Sequence, residues 1–282
     1  MKEKKCTVLF TGGLGNQLFQ FVFMLYQKDI LGFNRAEYNI SSYGFQPIHS
    51  GFQADQIFNF ERFEENKTNY YSPFFRILKR MSRQYKLFKW LCPIIYERDY
   101  KEDCHQIIYE GFWQKAKYYE AVKEALPNYT KGILSSFPDV ELMRKVEESE
   151  SVFVHVRRGD YVNNPTYCDL TEGDYYQEAI TYIQKRMGHP LFFVFSDDIE
   201  WCRSYFGIRE DFVFVEYNNQ TPINDLALMS CCHAAIIANS SFSWWGAALG
   251  KKEIVLHSPL YFKSHGQPEL YLKEWIEIKH ST

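Results

Sequence analysis

The chain has 282 residues, 46% hydrophobic and 24% charged, which is enough apolar material for a sizeable core and more length than one α/β domain needs. Its formal net charge is -3, from 32 Lys and Arg against 35 Asp and Glu, so no general positive field exists to hold nucleic acid. Any anion site must be local. The 7 cysteines show no C-x-x-C spacing, which predicts free thiols in a reducing compartment. No apolar run is long enough to span a membrane, and the stretch after the charged start is too short for a signal peptide, so a cytoplasmic protein is expected.

Residues 6–10 (CTVLF) read as a buried strand, 11–15 (TGGLG) as a tight loop and 16–31 as an apolar-rich helix. Glycines there let backbone N–H groups approach an anion at a helix N-terminus, so Gly13 and Gly15 are candidate phosphate contacts. The plainer alternative is a simple strand-to-helix turn. As a dinucleotide fingerprint the loop is incomplete, because Leu18 stands where a small residue is needed, although Glu37 lies near the expected acidic position. The Lys-Ser/Thr end of a P-loop is missing, which argues against an ATPase or kinase of that class.

Residues 41–140 are less regular and rich in aromatics, with a strand expected at 106–109 before Gly111-Phe112-Trp113-Gln114. Within this region, 76–95 carries Arg76, Lys79, Arg80, Arg83, Lys86 and Lys89 among apolar residues. The plainer expectation is a solvated helix face, and the alternative is peripheral docking on anionic lipid. A linker is expected at 130–139, dividing an N-terminal lobe, 1–138, from a C-terminal lobe, 139–282, with a C-terminal helix packing back on the first.

Beyond the linker, strands at 151–156, 191–195, 212–215, 234–238 and 253–256 alternate with helices at 175–186, 199–206, 224–229 and 241–249. That alternation predicts a parallel, doubly wound sheet with ligands beyond the carboxyl ends of its strands. Three of those ends carry chemistry. Arg157 and Arg158 follow the first, and a guanidinium fork matches phosphate oxygens. Neighbours on extended backbone face opposite sides, so Arg157 is assigned to phosphate and Arg158 to a carboxylate such as Asp160. His155 is either a nucleobase or sugar contact or a core histidine satisfied by carbonyls. At the second end, one carboxylate of Asp197 or Asp198 could bridge the two donors on the guanine edge, or either could cap the next helix. At the third, Asn239, Ser240, Ser241, Phe242 and Ser243 open a helix whose N-terminus suits a diphosphate, with capping as the alternative. No metal-ligand spacing and no Asp-x-Asp occurs, so arginine is expected in place of a divalent cation.

Together, GGLGNQLFQ at 12–20, HVRRGDY at 155–161, FSDD at 195–198 and NSSFSWWGAAL at 239–249, with GFWQ at 111–114, resemble glycosyltransferase family 11, the α-1,2-fucosyltransferases. The resemblance is to the bacterial type. It implies a GT-B-like α/β architecture of two Rossmann-like lobes with a cleft between them, an acceptor-side N-terminal lobe and a C-terminal lobe that binds GDP-L-fucose. It also implies inversion, no cofactor or metal, and a galactose-terminated glycan as acceptor. Carried over by motif, His155 and Asp197 or Asp198 contact guanine, Arg157 the diphosphate, and Ser241 to Ser243 the nucleotide. Asn16 resembles an asparagine near the leaving phosphate of protein O-fucosyltransferases, and Arg158 is structural or a second phosphate contact. For the general base, Asp160, Glu172 and Asp174 are candidates, and phosphate itself is another. A nucleotide-binding dehydrogenase and a glycan-binding module are the competing classes.

Overall fold

The computed structural model describes residues 4–45, 51–84, 93–102, 108–132, 139–216, 222–264 and 267–281. The chain divides into two compact units, Met1–Lys131 and Gly132–Thr282. Most of the expected linker, residues 133–138, lies outside the described residues, as do 106 and 107 of the strand expected before Gly111.

In the first unit, strands β1 (Lys5–Leu9), β2 (Arg35–Asn39), β3 (Glu64–Glu65), β4 (Ile94–Tyr96) and β5 (Ile108–Glu110) form an all-parallel sheet in the order β3-β2-β1-β5-β4. Helix α1 (Leu14–Leu25) is buried on nearly every side, and its Phe21 and Phe23 stack on Phe58 and Trp113. A helix apolar all round belongs in an interior. Its buried glutamines are fully used. Gln17 donates to the carbonyls of Gly12 and Gly51 and accepts from the N–H groups of Gln53 and Ala54. Gln20 accepts from Thr11 N–H and donates to the Gly111 carbonyl. The polar letters of GNQLFQ are thus latches joining the β1 and β5 loops.

Two further helices, α2 (Ser41–Phe45) and α3 (Pro73–Gln84), and then α4 (Ala116–Val122), fill the region expected to be irregular. Strand β2 escapes a pattern search because its charges are internal partners. Buried Glu37 pairs with Lys5 at 2.7 Å and Arg35 at 3.0 Å, and accepts from Thr7 and Asn66. This removes the acid on which the dehydrogenase reading rested, since its carboxylate fastens the sheet.

In the second unit, α5 (Val140–Glu148) leads into β6 (Glu150–Val156), followed by α6 (Tyr175–Gln184), β7 (Pro190–Ser196), α7 (Ile199–Phe206), β8 (Phe212–Phe214), α8 (Pro222–Cys231), β9 (Ala234–Ile236), α9 (Ser241–Ala248), β10 (Ile254–His257) and β11 (Ile276–Glu277). All pairings are parallel, in the order β11-β10-β9-β6-β7-β8. Strand alternation feeds two cores. Val152, Val154 and Val156 pack with α6 and α7, whereas Phe153, Phe193 and Phe195 pack with α5, α8 and α9. The order reverses between β6 and β9, which makes that gap the switch point where ligands of such sheets bind. Among the described residues no helix follows α9. β10 stands where a strand was expected, and beyond it the described residues form β11 and turns rather than the expected C-terminal helix, with Pro259 and Pro268 interrupting a helical run.

Candidate active site

The first unit brings GGLGNQ and GFWQ together at the β1/β5 switch point. Gly12 has φ +80°, and a Cβ there would stand 2.6 Å from Asn16 Nδ2. Only glycine fits that approach. Gly13 is the N-cap of α1, and Gly15 is buried in its first turn. Gln114 Nε2 donates to Asn16 Oδ1 at 2.6 Å, which fixes the amide with Nδ2 over Gly12. The Glu97 carboxylate accepts the Phe112 and Trp113 N–H groups at 2.9 Å each and so shapes the GFWQ turn.

In the second unit, β6 and β7 run in register to Val156 and Ser196, which sets Arg157 and Arg158 beside Asp197 and Asp198. Asp197 holds both arginines. Its Oδ2 lies 2.8 Å from Arg157 Nη1, and its Oδ1 accepts the Arg158 N–H at 2.9 Å. A Cβ on residue 159 would come within 2.6 Å of Asp197 Oδ2, so Gly159 makes room for the carboxylate. Asp160 also pairs with Arg157, at 2.7 Å, rather than with Arg158 as the alternation of side chains suggested. The backbone leaves extended geometry at Arg158, where φ is -122° and ψ -65°, so the alternation no longer applies. At 61% exposure the Asp160 pair contributes no more than about 1 kcal/mol, and an arriving anion can displace it. Asp197, at 15% exposure, is the fixed partner.

Arg158 is built into the wall. Its Nε lies 3.2 Å from Asp198, its Nη1 donates to Thr171 at 2.9 Å, and its guanidinium stacks 4.0 Å from the Trp201 ring centroid. Asp198 also caps α7 by accepting Trp201 N–H. Both aspartates assigned to guanine therefore have work inside the protein. Asn239, Ser240 and Ser243 are similarly engaged. Asn239 donates to the carbonyls of Cys168 and Tyr261, Ser240 caps α9, and the Ser243 hydroxyl reaches the carbonyls of Ala238 and Ser240. Ser241 and Phe242 are the half-buried residues at that helix start. Tyr161 donates to the Asn239 carbonyl, tying the two loops together, and Tyr176, on α6, donates to the His155 carbonyl of β6.

His155 Nδ1 and Asp225 Oδ1 are among the buried polar atoms of this unit with no hydrogen-bond partner among the described residues, as are the hydroxyls of Ser149, Tyr205 and Tyr271, and these two are the titratable groups among them able to change charge below pH 8. Burial, with the Arg157 charge acting the same way, pushes the His155 imidazole down to about 3, so it is neutral near pH 7. Its ring lies 5.7 Å from that of Phe242. Burial alone raises the Asp225 carboxyl to about 7. His155 sits on the α8/α9 face of β6, at its carboxyl end, and Asp225 is in the first turn of α8. An unsatisfied buried polar atom costs free energy until a ligand supplies its partner. Sequence reasoning missed Asp225 because an acid in a helix first turn is ordinary, and its burial is decided by packing.

Of the acids considered as base, Asp160 is held by Arg157, and Asp174 is kept below its usual range by the Ser281 hydroxyl and by the Ser281 N–H, which it accepts at 2.7 Å. Glu172 is exposed. A carboxyl raised from 3.8 keeps its proton in the folded state while the unfolded chain releases it, so its contribution to stability falls as pH rises from about 4 through about 7. Asp225→Asn should therefore melt higher than the parent at pH 8 and alike at pH 4, by thermal unfolding without ligand. A lower melting temperature at pH 8 would contradict the burial of a lone carboxyl.

The profile of glycosyl transferase family 11 matches residues 5–279. The Escherichia coli alpha-1,2-colitosyltransferase is 35% identical over 252 residues, covering 84% of this chain and 85% of that protein. Galactoside 2-alpha-L-fucosyltransferase SEC1 of Bos taurus is 31% identical over 168 residues, 56% of this chain and 44% of its own length. Among solved structures, the fucosyltransferase NodZ from Bradyrhizobium superposes with a TM-score of 0.54 at 14% identity, over 88% of this chain and 94% of that one, a shared GT-B-like fold. NodZ alpha-1,6-fucosyltransferase co-crystallized with GDP superposes with a TM-score of 0.52 at 13% identity, over 88% of this chain and 93% of that one. A match running from the first strand to the last places the chain in glycosyl transferase family 11, the galactoside α-1,2-fucosyltransferase family.

Proposed function

We propose that the chain transfers L-fucose from GDP-β-L-fucose to the 2-hydroxyl of a galactoside, with inversion, without a metal, and in the cytoplasm, for surface glycan or oligosaccharide synthesis. The observation that carries the nucleotide reading is that two buried polar atoms of the second unit lack partners among the described residues: His155 Nδ1, at the carboxyl end of β6 beside the β6/β9 switch point, and Asp225 Oδ1, in the first turn of α8. Guanine presents N1–H and an exocyclic amine, two donors that one carboxylate bridges, and Asp225 is the acid of this unit with a buried oxygen left unsatisfied among the described residues. His155 Nδ1 supplies a second polar contact to the base or ribose. In this reading Asp197 and Asp198 support the site from behind, and Asp225 takes the base contact assigned to them from sequence.

The β6 end that carries Arg157 adjoins the start of α9, where Phe242 neighbours His155 and Tyr161 reaches the Asn239 carbonyl. A diphosphate placed there would meet a guanidinium and a helix N-terminus together. As the sugar–phosphate bond breaks, negative charge grows on the β-phosphate, and donors already fixed by Asp197 stabilise that charge without reorganising. The acceptor hydroxyl passes its proton either to Glu172, the least engaged of the three acids, or to the departing phosphate. The five free cysteines among the described residues suit the reducing compartment proposed. The α-1,2 linkage is supported by the names of the Escherichia coli and Bos taurus relatives, and GDP by its co-crystallization with the NodZ fucosyltransferase. The first relative also favours a second reading, in which the sugar moved is colitose.

Incubation with GDP-fucose or GDP-colitose and a β-galactoside, with the product linkage read by NMR, tests both readings. Transfer from GDP-fucose to O2 of galactose is expected; an α-1,3 product would refute the regiochemistry, and transfer from GDP-colitose alone would favour the second reading. Arg157→Lys should lower kcat by about 100-fold, the scale for removing a donor aimed at developing charge. Arg158→Lys should act mainly by lowering thermal stability, because its guanidinium packs on Trp201 and braces Asp198. Equal kinetic losses with unchanged stability would remove the distinction between the two arginines.

A further inference from the structure

Helix α3 has two different long faces. Inward, Phe75 packs against a cluster with Leu9, Tyr70 and Ile108, and buried Lys79 reaches Glu110 at 2.9 Å with its ammonium 4.3 Å from the Tyr71 ring centroid. One cation is thus spent on fastening the helix to the carboxyl end of β5. Outward, Phe74 is 65% and Ile77 60% exposed, one turn apart, and Arg76 and Arg80, both exposed, lie beside them. Phe45, itself 44% exposed, lies under the Arg76 guanidinium at 4.8 Å. The helix contains no acid. Lys86, Lys89 and the apolar residues up to Leu91 in the basic segment lie outside the described residues, as does the side chain of Arg83.

A solvated helix face accounts for Arg76 and Arg80 but not for two large apolar side chains left in water beside them. We propose that this face of α3 docks peripherally on an anionic lipid surface, with Phe74 and Ile77 entering the headgroup boundary and Arg76 and Arg80 meeting lipid phosphates. Charge decides between occupants: a face bearing only cations around its apolar residues complements a layer of anionic headgroups. No helix among the described residues is long and apolar enough to cross a membrane, so contact of this kind is superficial. Its consequence is to bring the carboxyl edge of the first sheet, where Glu110 and the GFWQ turn lie, close to acceptors carried on lipid.

Flotation of the full chain with phosphatidylglycerol/phosphatidylcholine vesicles at low salt tests this without reference to transferase activity, so its outcome is separate from that of the donor reading. Binding is expected, falling as salt rises and absent on pure phosphatidylcholine. Arg76→Glu/Arg80→Glu should weaken it by at least about 30-fold, the effect of removing two surface cations, and Phe74→Ser/Ile77→Ser by about 10-fold. Unchanged melting temperatures and unchanged transfer to a soluble galactoside should accompany the losses. No retention of the parent, equal retention on neutral vesicles, or parent-like binding by both variants would overturn the proposal. So would self-association abolished by Phe74→Ser/Ile77→Ser with no vesicle binding, which would assign the face to a second copy of the chain.

Discussion

The Asp197 carboxylate accepts from the Arg157 guanidinium with one oxygen and from the Arg158 backbone with the other, and the geometry of the second unit's site follows from that pair of hydrogen bonds. It joins the carboxyl ends of β6 and β7, requires glycine at 159, and leaves Asp160 as a weaker, exposed second partner. Without it, Arg157 would be a long flexible cation at a strand end, and holding it still on a phosphate would cost side-chain entropy at every binding event. With it, the guanidinium is fixed before any ligand arrives. Arg158, braced by Asp198, Thr171 and Trp201, holds the same loop from the other side.

Parallel sheets put strand ends and helix starts at one edge, and both units use that edge in the same way. In the first, Gln17, Gln20 and Gln114 spend their hydrogen bonds on the glycine loop, its neighbours and Asn16. In the second, Tyr161, Asn239 and Ser243 do so on the loops after β6 and β9 and their neighbours. Most polar residues of the family motifs therefore serve the backbone. His155 of the motifs and Asp225 outside them each keep a buried polar atom unsatisfied among the described residues, and we propose these two as ligand contacts because such an atom discriminates strongly between partners that fill it and partners that do not.

Much of the second unit was legible from sequence. Alternating apolar strands and amphipathic helices marked out β6 to β10 with small shifts at their ends, because a sheet buried on both faces demands nearly continuous apolar runs. The first unit was harder to read, since β2 carries charges that pair inside the sheet and β3 has only two residues. In the site, residue types announced an anion-binding edge, but types alone could not rank the acids. Asp197 and Asp198 sit together at a strand end and look like ligand contacts, whereas Asp225 sits in an ordinary helix start; only packing shows which carboxyl is left with an unsatisfied oxygen.

Asp225 and His155 are the proposed reading surface for the donor base, and a crystal structure of the chain with GDP measures this directly. Guanine N1–H and its exocyclic amine should lie within hydrogen-bond distance of the Asp225 carboxylate, with His155 Nδ1 in polar contact with base or ribose and the diphosphate on Arg157 at the start of α9. Guanine bonded instead to Asp197 or Asp198, with the Arg157–Asp197 pair broken and Asp225 still unsatisfied, would contradict it.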